Sequence, residues 1–551
     1  MEQNQGLFKK LSVLILMFIL LLPVKMIVGA EDKKLSTINS EQIQEGLEDP
    51  GVLKVGMEAN YSPFNWSQPS LVNGALPISN SKGEFGNGYD VHIAQELAQQ
   101  LGLELEIVKL EWDGLPPALN SGKVDAIIAG MSVTPERKKE IDFSDNYYES
   151  QMVLVVRKDS DFVDAQSIED FSNAKVTAQL NTFHYGLIDQ IPNVQKGTAL
   201  DSFPTMISSV LSGKIDAYLS EEPGAMAAVA ANTDLTYVKF TKENGFDLSQ
   251  VDTGIAIGLR KGSPLVEPIN QALSQIDEEE RIALMKEMVE LNQGQENLSF
   301  WQDVQALWAS YGNQFIRGAL NTLFIALFAT IVGSVIGLLI AVIRSMKDLF
   351  QKGRPSYYLF KVVDFLLVTY IEIFRGTPMM VQAMLIFYGL KLFFDIDLSS
   401  MTAALFIVSI NTGAYLSEVM RGGIQGVDKG QYEGAKAIGM THGQTMRHVV
   451  LPQAVLSILP TLGNEFVINI KDTSVLNVIA VTELFFVSKS VAGSTYQTFQ
   501  TFLITSVIYF VLTFTTTRIL NLIERKVSGS HSYTVVQSSS TEAVKGVKTH
   551  D

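Results

Sequence analysis

Arg137 stands in the run MSVTPER, just past the end of an apolar stretch, and a guanidinium there offers a planar, two-pronged grip for a carboxylate. The backbone at Gly130 and the hydroxyl of Ser132 can add hydrogen bonds beside it. A second end of the same kind comes later in the chain. LNSGKVDAIIAG (119–130) and VLSGKIDAYLSE (210–221) each read as a helix end, a Ser-Gly-Lys turn and a buried strand that opens with a β-branched residue and Asp. Superposed, they set Gly130 opposite Glu221, both at the carboxyl end of a strand, where open α/β sheets hold their ligands. The chemistry this suits is recognition of a small charged solute between two similar lobes, with no catalytic residue and no covalent step. The sequence holds no cysteine, so disulfides and thiolate metal sites are excluded, and no metal centre is expected.

The elements that must position these residues are legible from 51 to 291. VLKVGME (52–58) alternates Leu53 and Val55 inward, YDVHIAQELAQQLG (89–102) places Ile93, Ala94, Leu97 and Leu101 at helical spacing, and LELEIVKL (103–110) alternates again. Short strands alternating with helices predict an α/β domain with a mostly parallel sheet. A chain of 551 residues exceeds one core, and the formal charge of −16 lies mostly in the first half, so an acidic soluble domain joined to a membrane domain is expected. That balance makes nucleic acid an improbable partner.

Beyond a linker at 292–312 the composition changes. Five spans are expected within 313–526: Phe315 to Ile343, Val362 to Phe394, Met401 to Met420, one within 453–491, and Phe502 to Leu522. Arg344, Lys347, Lys352, Arg354 and Lys361 follow the first span, which sets that side in the cytoplasm. The α/β domain then lies outside the cell. Lys9, Lys10, the apolar run Leu11 to Leu22 and the small residues Val28-Gly29-Ala30 in 1–30 agree, as a cleaved signal peptide or an uncleaved anchor. Residues 31–50 read as a linker, and 527–551 as a disordered cytoplasmic tail. Arg375 inside FRGTPMMVQ (374–382) and Glu418 inside NTGAYLSEVMRGGIQGV (411–427) are costly in lipid and are candidates for a solute pathway. Between the third and fourth spans lies the polar insert EGAKAIGMTHGQTMRHVVLPQA (433–454).

Three motifs carry a family resemblance. GMEANYSPFNW (56–66), WDGLPPALNSGKVDAIIAGMSVTPERKKEIDFSDNYY (112–148) and SGKIDAYLSEEP (212–223) resemble the amino-acid-binding proteins of ABC importers. The resemblance implies a bilobed, type II periplasmic-binding-protein-like fold over 51–291 that holds a free amino acid. It further implies that Arg137, Gly130 and Ser132 take the α-carboxylate and that Glu221, where Asp is usual, meets the α-ammonium group. Gln179, Thr182 and the backbone at Phe183 match the second lobe's remaining ligand segment. Tyr61 and Trp112 match the positions that sandwich the ligand side chain, with Phe64 nearby and Glu58 at its far end.

The insert resembles the coupling loop of the permeases of such importers: Glu433-Gly434-Ala435, Gly439, Leu451 and Pro452 keep its spacing, within a loop at 428–454. That resemblance extends over nearly all of 313–526 and implies an all-α permease domain, a separate ATPase dimer that carries the ATP and Mg, and a second copy of this chain around one pathway. No G-x-x-x-x-G-K-[ST] phosphate cradle occurs in the sequence, so this chain itself holds no cofactor. The expected whole is a plasma-membrane import subunit, embedded in lipid, for a polar or cationic amino acid or glutamine. The same lobes could serve a membrane-bound sensor, a ligand-gated channel, which needs no coupling loop, or a lyase or dehydratase, which needs no spans.

Overall fold

The computed structural model describes residues 40–249, 253–291, 299–347, 350 and 352–528. The export segment expected over 1–30 and residues 529–551 of the expected tail lie outside them.

The first lobe is a five-stranded sheet in the order Glu104–Lys109, Val52–Met57, Ala126–Ile127, Gly254–Arg260, Ile141–Glu149. Its first three strands are parallel and the last two antiparallel to their neighbours. Leu53 and Val55 are fully buried while Lys54 is partly open, as alternation requires. The helix Tyr89–Leu101 lays Ile93, Ala94 and Leu97 into the core and ends at Gly102 in the left-handed region, whose N–H closes on Ala98 and Gln99. Residues 40–50, read as linker, belong to this lobe: Ser40–Gly46 is helical, and the Arg260 guanidinium donates to the Gly46 carbonyl at 2.8 Å.

The second lobe repeats the arrangement with Gln195–Lys196, Lys175–Thr177, Ala217–Glu221, Met152–Arg157 and Leu235–Lys239. The repeat reaches single hydrogen bonds. Asp125 accepts the Lys54 N–H at 2.9 Å on the neighbouring strand, and Asp216 accepts the Lys175 N–H at 2.8 Å in the same place of the other lobe. The chain passes between lobes twice, at Ser150–Gln151 and between Lys239 and Gly254, so the two sheets form a clamshell.

The rest is helical. Among the described residues, four helical runs are long and apolar enough to cross a bilayer: Phe300–Ser345, Ser400–Gln425, His442–Ile479 and Thr498–Lys526, with Met379–Phe394 shorter. The first two pack backbone to backbone. A Cβ on Gly333 or Gly337 would come within 2.7 Å of Thr412 or 2.8 Å of the Ser417 nitrogen, so this glycine pair admits the close approach.

Two expectations are corrected here. The span over Val362 to Phe394 is two helices, Pro355–Gly376 and Met379–Phe394, because Pro378 has no N–H to continue the ladder and disfavours helix at Thr377. Gln382 satisfies the break: its amide donates to the carbonyls of Phe374 and Thr377, each at 3.0 Å, while Asn411 donates to its oxygen at 2.9 Å. The linker expected over 292–312 is helical from Phe300, since Ser299 and Gln302 form a capping box.

The span expected within 453–491 ends earlier as well. Leu451–Asp472 runs on through a tight turn to Ile479, Ala480 turns left-handed, and Leu484–Thr495 is a separate helix. This separate helix meets the first lobe.

Candidate functional site

Glu58, Tyr61, Trp112, Gly130, Ser132 and Arg137 from the first lobe and Gln179, Thr182 and Glu221 from the second line one cleft, joined by His184 and Phe203. Gly130 and Glu221, the two ends of the internal repeat, therefore face the same space. Gly130 has φ +61°, and a Cβ there would lie 2.9 Å from the Tyr61 ring, so glycine keeps the floor open.

The lobes are shut on each other. The Tyr61 hydroxyl donates to Glu221 Oε2 at 2.7 Å, and its ring stacks on Phe203 with centroids 4.4 Å apart and 7° between planes. Arg137 donates to the Ser132 carbonyl at 2.8 Å in its own lobe and to the Asn181 carbonyl at 3.1 Å in the other. Asn181 in turn donates to Asp113 at 2.9 Å.

Charge is arranged with opposite signs facing one another. Burial draws the Arg137 guanidinium down to about 10, opposed by the nearby Glu221 charge, so it stays cationic at neutral pH. Glu221 is 3% exposed, and burial alone would raise its carboxyl. His184, whose Nε2 lies 3.0 Å from Oε1, and the Tyr61 hydroxyl together hold it below the ordinary carboxylate value. An ionised carboxylate offers about four lone-pair positions, so Glu221 keeps acceptor capacity for a cationic ligand group. Glu58 behaves in the opposite way: burial and the neighbouring Glu111 push it up to about 8, so it holds its proton at neutral pH.

Other expected residues take different places. Phe64 is fully buried and backs Tyr61 from 5.0 Å rather than lining the cleft. Phe183 packs toward the second lobe's core, its ring 4.2 Å from His184. The ring pair expected to sandwich a ligand is already occupied, Tyr61 by Phe203 and Trp112 by the Arg137 guanidinium at 5.2 Å. His184 and Phe203 were missed, although His184 directly follows the segment read as ligand-binding.

At the other end of the helices, Lys429–Ala437 and His442–Thr445 meet at Gly439, whose φ of +81° an L side chain rarely adopts. Met446, Val450 and Ala454 bury against Met420 and Ile424, with Leu451 packed beside them, while Pro452 opens the next helix. Ala435 is buried, Glu433 is exposed, and Ile438 stands 78% exposed at the bend. The loop is a packed knob with an exposed tip. Glu418 is paired, with Arg344 at 2.6 Å and Arg421 beside it, and Arg375 lies over the Tyr415 ring at 5.5 Å.

Residues 53–288 match the bacterial extracellular solute-binding proteins, family 3, and residues 333–529 match the binding-protein-dependent transport system inner membrane component. Over 225 residues the chain is 33% identical to the glutamine transport system permease protein GlnP of Escherichia coli (strain K12), covering 41% of this chain and 97% of that one. The chain belongs to the amino-acid ABC importers.

Within that family it is a binding protein and a permease fused in one multi-pass membrane polypeptide. The arginine transport system permease protein ArtQ of Bacillus subtilis (strain 168) is 32% identical over 211 residues, 38% of this chain and 93% of that one. Among solved structures, the amino acid ABC transporter substrate-binding protein AbpA from Streptococcus pneumoniae, bound to L-arginine, is 28% identical. It covers 44% of this chain and 97% of its own, with a TM-score of 0.38.

Proposed function

We propose that this importer subunit captures a cationic amino acid between its lobes and releases it into a pathway through its own helices. The observation that carries the reading is the convergence of Arg137 and Glu221 from opposite lobes on one cleft. An α-carboxylate pairs with Arg137, Gly130 and Ser132, and an α-ammonium group pairs with Glu221. The side chain reaches toward Glu58, with Gln179 and Thr182 closing the second lobe's side. Glu111 and Asp113 put negative charge near that end, and Glu58, protonated in the free cleft, can ionise against a cationic side chain, which favours a cation over an amide.

The binding domain stands outside the cell and the coupling loop inside. Glu433, Ala435, Gly439, Leu451 and Pro452 seat a separate ATPase dimer that binds ATP and Mg, and this chain performs no hydrolysis itself. Two copies pair in the lipid bilayer around one pathway, bringing Arg375 toward it, and Pro355–Gly376 supplies a fifth span to each. The exposed knob at Ile438 and Gly439 supports this reading over a sensor or a channel, since neither needs a docking tip for a motor. A thermal-shift screen of the full chain in nanodiscs against the twenty amino acids tests it. Arginine or lysine should raise the melting temperature most, and a screen in which none of the twenty shifts it contradicts the reading.

A further inference from the structure

The helix Leu484–Thr495 docks on the first lobe, and Lys489 on it reaches both lobes. Its Nζ lies 2.5 Å from Glu111 Oε2, next to Trp112 in the first lobe, and 3.7 Å from Asp201 Oδ2, two residues before Phe203 in the second. The two lobes are held to the membrane helices differently. The first is fixed at several points: Ser490 meets Ser67 at 2.6 Å, Tyr496 donates to the Ser62 carbonyl at 2.8 Å, Lys123 pairs with Asp397 at 2.6 Å, and Arg317 donates to the Lys82 carbonyl at 3.1 Å. The second lobe leans on the helices through Asp201, through the Pro204 carbonyl, which accepts from Thr498 at 3.3 Å, and around a surface cavity shared by Ser208 and Phe499.

We infer that Lys489 is the permease's detector of lobe closure: Glu111 holds it in place, and Asp201 reaches it only when the second lobe has swung shut. The position of Asp201 follows closure because its neighbour Phe203 stacks on Tyr61 across the cleft. The two contacts differ in kind. Lys489 and Glu111 are 17% and 14% exposed, so their pairing is poorly screened and works as an anchor. Asp201 is 60% exposed at a longer distance, which makes a weak, reversible contact that favours the shut position without latching it. Behind Lys489, Leu484, Val487 and Val491 pack on Phe315 of the first membrane helix and Ile504 of the last, so what Lys489 meets is passed to both. This inference rests on the proposed closure of the lobes around an amino acid.

The chain has no cysteine, so pairs can be introduced without background. In the full chain in nanodiscs, the Lys489→Cys/Asp201→Cys pair should cross-link at least about fivefold more in a mixture of the L-amino acids other than cysteine than without it. The Lys489→Cys/Glu111→Cys pair should cross-link equally in both. Because those variants remove the contact itself, a second pair, Ser208→Cys/Phe499→Cys, leaves Lys489, Glu111 and Asp201 intact and should also respond to the amino acids. Adding Asp201→Lys to this second pair should cut the amino-acid-dependent yield about fivefold. Equal yields at the Asp201 pair with and without amino acids, a rise with amino acids at the Glu111 pair as large as at the Asp201 pair, or indifference of the second pair to Asp201→Lys overturns the inference. Failure of this inference leaves the melting shift with amino acids in place, whereas failure of the proposed function removes that shift too.

Discussion

Tyr61 and Glu221 lie on opposite lobes, and a single hydrogen bond of 2.7 Å joins the phenol of one to the carboxylate of the other. In the proposed binding mode the bond ties ligand recognition to lobe closure, because Glu221 cannot meet a ligand ammonium group in the closed cleft without also holding Tyr61. A hydrogen bond to a charged group contributes about 1.5–3 kcal/mol. Tyr61→Phe should therefore weaken amino-acid binding roughly tenfold to a hundredfold while leaving the Phe203 stack in place, as read by calorimetric titration. An unchanged affinity would show that closure does not depend on this bond.

Glu58 gives the cleft a pH dependence whose sign follows from its environment. Burial and Glu111 keep its proton on up to about pH 8. A cationic side chain docking beside it favours the ionised form, so binding should release a proton and affinity should rise from pH 6 toward 8, then level off. The slope should vanish in Glu58→Gln. A flat profile in the unmodified chain, or an equal slope in the variant, would remove Glu58 from the ligand's side-chain site.

Gly493 faces Asn60 so closely that a Cβ on it would lie 2.4 Å from the Asn60 Cβ and 2.9 Å from its carbonyl oxygen. Backbone cannot give way as a side-chain tip can, so Gly493→Ala should push the first lobe off its docking helix. Cross-linking between Lys123→Cys and Asp397→Cys should fall severalfold, with amino-acid affinity kept within about threefold. Full cross-linking in the alanine variant would mean that the docked arrangement tolerates more movement than this contact allows.

The proposed coupling loop bends at Gly439 with a positive φ, where a side chain costs about 1–2 kcal/mol of local strain. Gly439→Val should leave amino-acid binding intact and weaken association of the ATPase about tenfold, and Glu433→Lys should act similarly through charge alone. Pull-down of the ATPase with the nanodisc-embedded chain reads both, and normal recovery with either variant would separate the loop from coupling.

Much of the fold was legible because its signals are local. Leu53, Val55, Ile93 and Leu97 declare their faces by spacing alone, and the Ser-Gly-Lys turns announced a repeat that extends to the hydrogen bonds of Asp125 and Asp216. The break at Thr377-Pro378 and the capping box at Ser299 were equally local, yet an apolar run and a polar run masked them. The cleft was harder to read. Arg137, Gly130 and Glu221 sit at strand ends that the pattern marks, whereas the stacking of Phe203 on Tyr61 joins residues 142 positions apart by number, and no periodicity encodes it. Lys489 is further still from Glu111, 378 residues along the chain, so its role exists only in the assembled molecule. The family resemblance implied open rings at Tyr61 and Trp112, but tertiary packing fills both.

The most direct test is a calorimetric titration of the full chain in nanodiscs with arginine, compared with Arg137→Ala. A saturable one-site isotherm should appear in the unmodified chain and weaken by about a hundredfold in the variant, the loss of roughly 3 kcal/mol expected when a paired carboxylate loses its guanidinium. Superimposable isotherms for the two chains would contradict a cleft that holds its solute between Arg137 and Glu221.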